Sequence, residues 1–335
     1  MPDRRDSPSR RDDASLPSVA AYLALREAAA TLDLSGWTVL RLRGPDARSF
    51  LQGMASQDLS RLRPGEAART LFLTEKGRAV ASAWVAVSVD RAVPDAAAAA
   101  GGPSGGLPGE AVHVIADRGA RSALREHLER FRVMEDVDFE GPDDMPILVG
   151  VAGPHRARLL EGARAVIHGA TAIAGEPLSF LLLPSQAPAI SLPSFAPSDA
   201  YEAWRLAVGL PRTEADLEDG RIATELSLPE AISLTKGCYV GQEVVARTAT
   251  RGHLRRLRVG FRFPWEGAPL PRGTELRAGG MAAGFVTSSA PEPGSADGLG
   301  MGYLSAEVLA MEAAVEVLAV LGPHTIHLRV APWPL

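Results

Sequence analysis

The sequence predicts an α+β protein: two mixed lobes followed by a small C-terminal antiparallel β-barrel. Up to about residue 250, short strand-like runs alternate with short amphipathic helices, without the strict strand–helix repeat of a parallel sheet. From Leu254 onward the texture changes to brief alternating runs separated by Gly and Pro turns, a spacing that suits a small barrel. A chain of 335 residues is long enough for lobes with cores of their own. The expected divisions are a disordered tail over 1-18, a first lobe over 19-145, a second over 146-250 and the barrel over 251-335.

The elements follow in order. Met1 to Pro17 is charged and aperiodic, with aspartates among its arginines, and reads as a disordered tail rather than a secretory leader. Ala20 to Thr31 is rich in Ala and Leu and predicts a helix that Gly36 ends; Thr38 to Leu42 alternates as a strand. Asp46 is placed to N-cap a helix bearing Phe50, Leu51 and Met54. Ala68–Leu73 and Arg78–Val89 flank Thr74-Glu75-Lys76-Gly77 and read as a hairpin. Residues 94–110 are almost only Ala, Gly, Pro and Ser, a flexible low-complexity loop. A strand at Val112–Ala116 and a helix over Gly119–Arg132 close the first lobe. In the second, Ile147–Val151 and Leu178–Leu183 predict strands, Gly153-Pro154-His155 opens a helix, and Asp199–Val208 predicts a helix ended by Gly209 and Pro211. Six strand-like runs between Arg258 and Val330 make the barrel.

Composition narrows the function classes. Hydrophobic residues at 46% and charged ones at 22% are ordinary for a globular protein. A net charge of −5 argues against a chain-wide polyelectrolyte role with nucleic acid. One cysteine excludes an internal disulfide and any cysteine-only metal site within the chain. No stretch approaches the roughly 18 apolar residues of a membrane span. We therefore expect a cytoplasmic protein without membrane partners and without a metal of its own. Asp216, Glu218 and Asp219 read as a solvated acidic loop.

The densest chemistry lies in Lys236-Gly237-Cys238-Tyr239-Val240-Gly241-Gln242-Glu243, which places an amine, a thiol, a phenol, an amide and a carboxylate between and beside two glycines. This octapeptide resembles the Lys-Gly-Cys-Tyr-x-Gly-Gln-Glu signature of the YgfZ family, folate-binding proteins that support iron–sulfur enzymes and are related to the aminomethyltransferase (T-protein) of the glycine cleavage system. Ser49-Phe50-Leu51-Gln52-Gly53, Gln57-Asp58, Lys76-Gly77-Arg78 and Tyr201 to Arg212 carry the same resemblance. Glu225 is kept, with Ala223 where the family usually has proline.

The resemblance implies a T-protein-like fold, tetrahydrofolate or a one-carbon derivative as cofactor, and iron–sulfur client enzymes as partners. It implies Glu225 or Gln242 for the pterin, Arg205 or Arg247 for the folate carboxylates, and Tyr239 and Trp204 as apolar walls. Cys238 has two readings, a small buried hydrophobe or a working thiol beside Lys236, whose charge would favour the thiolate; the resemblance favours the second. Two rivals stand beside this reading. One is an aminomethyltransferase; against it, Ala81 and Ser82 occupy positions where the transferases carry aspartates. The other is an RNA-binding module, since Arg247, Arg251, Arg255, Arg256 and Arg258 form a basic run; with no interleaved aromatics it reads better as a connector with at most a weak tRNA contact.

Overall fold

The computed structural model describes residues 16–89, 110–140, 147–166, 171–183, 195–217, 220–251, 254–311 and 316–335. The chain opens with helix α1 (Leu16–Glu27), strand β1 (Ala30–Asp33), β2 (Thr38–Arg43) and helix α2 (Ala47–Met54). The hairpin β3 (Ala67–Leu73) and β4 (Ala79–Val89), then β5 (Glu110–Ala116), α3 (Arg121–Phe131) and β6 (Asp138–Glu140) follow. Next come β7 (Ile147–Ala152), α4 (Arg156–Val166), β8 (Thr171–Ile173), β9 (Leu178–Leu183), α5 (Ser198–Ala207), the single turn α6 (Thr213–Asp216) and α7 (Gln242–Arg251). The last part holds β10 (Arg256–Pro264), β11 (Glu275–Ala278), β12 (Met281–Pro291), β13 (Asp297–Ser305), α8 (Ala306–Leu309), β14 (Val317–Leu321) and β15 (His324–Ala331).

The strands form a five-stranded sheet in the order β3-β4-β5-β2-β6, a four-stranded sheet β1-β7-β9-β8, and a closed barrel β10-β13-β12-β11-β14-β15. The α+β class and the barrel are as the sequence predicts. Every strand pair within the three sheets runs antiparallel.

Several details differ from the sequence reading. Leu16 to Ser18 lie in α1 rather than in a tail, and Glu110 begins β5; the rest of the expected tail and loop lies outside the described residues, as do Glu218, Asp219 and His253. The predicted first helix gives way after Glu27 to β1, which crosses to the second sheet and pairs with β7, Leu32 opposite Gly150. A side chain at Gly150 would meet Leu32 and Leu34, so the glycine lets β1 lie close. Asp46 does not cap α2; its carboxylate accepts from the Asp136 backbone N–H at 2.9 Å and ties β6's approach to the start of the helix.

The central layer is β4, with Ala81 to Ser88 all buried. Period-two alternation explains why. Ala81, Ala83 and Val85 face the core shared with α2 and α3, while Trp84 and Ala86 face a second core with β9, α1 and α5. A smaller apolar cluster of Leu71, Leu73, Leu226, Leu228, Tyr239, Val245 and Tyr303 joins the hairpin, the octapeptide and the barrel.

Candidate functional site

Alternation on the hairpin builds the site. Thr70 and Phe72 turn toward the α2 side, which leaves Arg69 on the face that β4 gives to Ser82 and Trp84. Arg69 is directly opposite Trp84 in register, and its guanidinium carbon lies 5.3 Å from the indole centroid, a cation–π contact. Its Nε donates to Ser82 Oγ at 3.4 Å and its Nη1 to Glu230 at 3.0 Å. Nη2 is buried and has no hydrogen-bond partner among the described residues. The side chain is 4% exposed, and burial lowers its pKa from the usual arginine range while Glu230 opposes the shift.

Arg69 and Glu230 line two cavities at once. One, of about 530 Å³, is bounded by Gly209, Leu228, Arg258, Val330 and Trp333 as well. The other, of about 610 Å³, is bounded by Asp58, Glu66, Arg156, Glu176 and Ser179 as well. Each is of a size that takes a small organic ligand. Arg258, on the first strand of the barrel, is 2% exposed; Nε donates to Leu226 O at 2.7 Å, Nη1 to Gly209 O at 3.0 Å, and the group stacks on Trp333 at 4.3 Å. Burial, then the neighbouring charge of Arg69, pulls its pKa down to about 10.

The octapeptide docks on the first lobe. Lys236 is 8% exposed, and its Nζ donates to the carbonyls of Gln52, Ala55 and Gln57 at 2.6, 2.7 and 3.0 Å. Burial brings its pKa down to about 8, with Asp58 opposing. Val240 N–H donates to Gly53 O at 3.1 Å. Gly241 has φ +83°, and a side chain there would lie 2.6 Å from Thr74 O, so this glycine serves both a turn and a close approach. Gly237 has open space instead. The motif pieces Gln52-Gly53, Gln57-Asp58 and Gly77, read separately along the chain, thus pack against the octapeptide. Cys238 is exposed. The three bonds of Lys236 use all its donors and clamp the octapeptide to the first lobe, so no hydrogen bond from its amine is left for Cys238.

The other predicted residues separate. Arg205 is 1% exposed, with Nη1 donating to Asp216 at 2.8 Å and Nε to Glu202 at 2.8 Å, so it is held inside an ion-pair network and lines neither of these two cavities. Asp216 is fully buried rather than in a solvated loop, because Thr287 and Ser288 of β12 also donate to it at 2.6 and 2.7 Å. Arg247 forms an exposed pair with Glu243 at 2.5 Å on α7, away from these cavities. Glu225 is buried, 3.8 Å from Arg221. Trp204 lies in the core of α5 and touches a third cavity of about 280 Å³. Tyr239 is buried under Lys236, 5.2 Å from Nζ to ring centroid, and Gln242 starts α7; neither lines these cavities. The arginine run is not one face: Arg258 is interior, Arg256 lies over Phe285 at 5.5 Å and Arg255 is exposed.

Arg69 and Glu230 went unread in the sequence, and Ser82 and Arg258 were read only as a departure from the transferase pattern and as part of a basic run. For Arg69, Ser82 and Arg258 the signal was a charge or hydroxyl at an inward position of a largely apolar strand; Glu230, in the turn Pro229–Ala231, gave none. Among the described residues, no group of three His, Cys, Asp or Glu could hold a metal, and no helix is long and apolar enough to cross a membrane.

No protein-family model matches the chain. It is 26% identical over 345 residues to an aminomethyltransferase of Rubrobacter xylanophilus, covering 94% of this chain and 85% of the relative. It is 27% identical to the human iron–sulfur cluster assembly factor IBA57, covering 75% of this chain and 72% of that one. It is also 27% identical to the tRNA-modifying protein YgfZ of Klebsiella pneumoniae, with 72% of each chain covered. The chain is similar to the YgfZ, IBA57 and aminomethyltransferase proteins. Its fold matches the glycine cleavage system aminomethyltransferase T of Bartonella henselae with a TM-score of 0.73 at 19% identity, over 95% of this chain and 89% of that one. Relative to the aminomethyltransferase pattern, Ala81 is core and Ser82 hydrogen-bonds Arg69, so neither offers a carboxylate to the cleft.

Proposed function

We propose that this protein is a folate-binding accessory factor that supports the assembly or repair of iron–sulfur enzymes and affects tRNA modification through them. The observation that carries the reading is the pair of cavities meeting at a buried arginine with a spare donor, in a chain similar to IBA57 and YgfZ proteins. An unsatisfied buried guanidinium N–H costs about 1–3 kcal/mol, which a ligand acceptor would recover. Tetrahydrofolate or a one-carbon derivative supplies acceptors, donors and aromatic rings of the right scale. Arg69, Arg258 and Glu230 would hold it. The exposed Cys238 would act at the surface, toward a client protein.

The similarity to an aminomethyltransferase over 94% of the chain favours a second reading, a folate-dependent aminomethyl transferase. Ala81 and Ser82 argue against it, because one-carbon transfer from an amine needs a carboxylate there. Calorimetric titration with tetrahydrofolate tests the first reading, with saturable binding expected; no binding of any reduced folate at millimolar ligand would sink it. Turnover with an aminomethylated carrier protein would promote the second.

A further inference from the structure

Phe285 of β12 and Tyr303 of β13 are register partners on neighbouring barrel strands, with ring centroids 5.5 Å apart. Three arginines from separate parts of the chain gather at this pair. The guanidinium of Arg221, from the loop before Ala223, lies 4.9 Å from the Tyr303 centroid and 5.7 Å from that of Phe285. Arg256, at the start of β10, lies 5.5 Å from Phe285. Arg78, after the β3–β4 turn, lays its guanidinium against Gly220, where φ is +88° and a side chain would come within 2.4 Å of Nη1. Arg78 is thereby set beside Arg221, and the next residue, Ala79, donates its N–H to Arg221 O at 3.0 Å. Arg255 adjoins Arg256 and is exposed. Among the described residues no carboxylate pairs with Arg78, Arg255 or Arg256. Arg221 is 3.8 Å from Glu225, whose side chain is 6% exposed.

Gathered cations without carboxylate partners make an anion-binding surface, since an added anion relieves the repulsion among them. This one is separate from the cavities: none of Arg78, Arg221, Arg255, Arg256 and Phe285 lines any of the three. The rings narrow the kind of anion. Along the sequence the arginine run has no interleaved aromatics, but in the fold β12 and β13 bring Phe285 and Tyr303 to it. Guanidinium planes and a half-buried ring offer flat faces on which an unpaired base stacks, while the guanidinium edges reach backbone phosphates. We propose that the surface of Arg78, Arg221, Arg256 and Phe285 binds a single-stranded nucleic-acid segment, its phosphates on the arginines and a base on the arginine–phenylalanine platform. This goes beyond the folate reading and does not depend on it.

Fluorescence anisotropy of the full chain with a labelled oligoadenylate of about 12 nucleotides, as RNA and as DNA, tests the surface. Both strands should bind, because phosphates and base faces are common to the two. Three phosphate contacts on a single strand predict a slope of log K against log salt of roughly −2. Arg256→Gln should weaken binding and make that slope shallower by roughly 0.7, the share of one phosphate. Phe285→Leu should weaken binding about fivefold or more and leave the slope unchanged, because it removes stacking and no charge. An abasic strand of equal length should bind the unaltered protein more weakly by a similar factor, a comparison that needs no variant and decides the matter if Phe285→Leu does not fold. Equal binding of base-bearing and abasic strands would overturn the proposal. A polyglutamate peptide bound as tightly as the oligonucleotide would also overturn it, in favour of an acidic protein partner. Absence of binding at low salt, or binding untouched by Arg78→Gln and Arg256→Gln together, would leave the surface without this role. None of these outcomes bears on the titration with tetrahydrofolate, so either reading can fail alone.

Discussion

Arg205 donates to the Asp216 carboxylate across 2.8 Å, and both side chains are buried, at 1% and 0% exposure. The pair joins α5 of the second lobe to the barrel, because Thr287 and Ser288 of β12 bond the other carboxylate oxygen and Tyr303 of β13 donates to the Asp216 backbone carbonyl at 2.8 Å. This cross-lobe network accounts for a charged residue on the inward side of α5.

Asp216→Asn should therefore destabilise the protein by about 3–5 kcal/mol, the cost of stranding a buried partner charge. Chemical denaturation measures it, and a change below 1 kcal/mol would refute the network's role. The pH dependence has a defined sign. Arg205 and the donors around it hold the Asp216 carboxyl below its usual range, against burial, which raises it. Its stabilising contribution is complete above the ordinary aspartate pKa of 3.8 and is lost as pH falls through the lower native value. Unaltered protein should lose stability in acid more steeply than Asp216→Asn.

Lys236 gives a second stability prediction. Its Nζ satisfies three backbone carbonyls at and beyond the end of α2. Lys236→Met keeps the stem but leaves those acceptors without their donor, so a loss on the order of 2–4 kcal/mol is expected in denaturant titration. Burial lowers the native pKa to about 8 from 10.5, so between these values the unfolded chain binds the extra proton. Stability of the unaltered protein relative to Lys236→Met should then rise from pH 8 toward pH 10. A flat difference across that window would contradict a buried, desolvated amine.

Much of the fold was legible because alternation and Gly/Pro turns mark strands locally. Each of the six barrel strands lies where its run predicted, within a few residues at the ends. What escaped was short or long-range. β1, β6 and β8 have only 4, 3 and 3 residues, too few for a period to register. α7 begins at Gln242 within the octapeptide, and its arginines drew attention as a charge run instead of a helix face. Asp216 looked solvated because the groups that bury it, Thr287 and Ser288, are 71 and 72 residues away. Arg69 drew no reading within its strand, and only the register with Trp84 and the turn carrying Glu230 make it interior. The octapeptide was legible as a motif, but its folded role is divided. Lys236 and Gly241 anchor it, and Cys238 faces outward.

Folate-dependent transfer offers a third test, at Ser82. If the missing carboxylate alone separated this chain from a transferase, Ser82→Asp would install activity. Arg69 lies 3.4 Å from the Ser82 hydroxyl, so a new aspartate would form an ion pair with it instead of facing a substrate amine. We expect no measurable aminomethyl transfer by Ser82→Asp and a raised melting temperature from the added pair. Turnover by this single variant would mean that the cleft is otherwise complete for catalysis.

Cys238 carries the fourth prediction. The thiol is exposed, and the loop around it, with Gly237 in open space and Leu234 at 60% exposure, contributes little packing. Cys238→Ala should therefore leave the melting temperature within about a degree, since no cavity is opened. Native protein should label stoichiometrically with a maleimide without denaturant, and labelling should not require Lys236, whose donors are committed to carbonyls. Lys236→Met protein that remains folded should label at a similar rate, whereas loss of labelling in that variant would restore the lysine as the thiol's activator. In cells lacking the native protein, Cys238→Ala should reduce the activity of iron–sulfur enzymes although folded protein is present in normal amount. Full support by Cys238→Ala would make the thiol dispensable and leave the octapeptide a docking element alone.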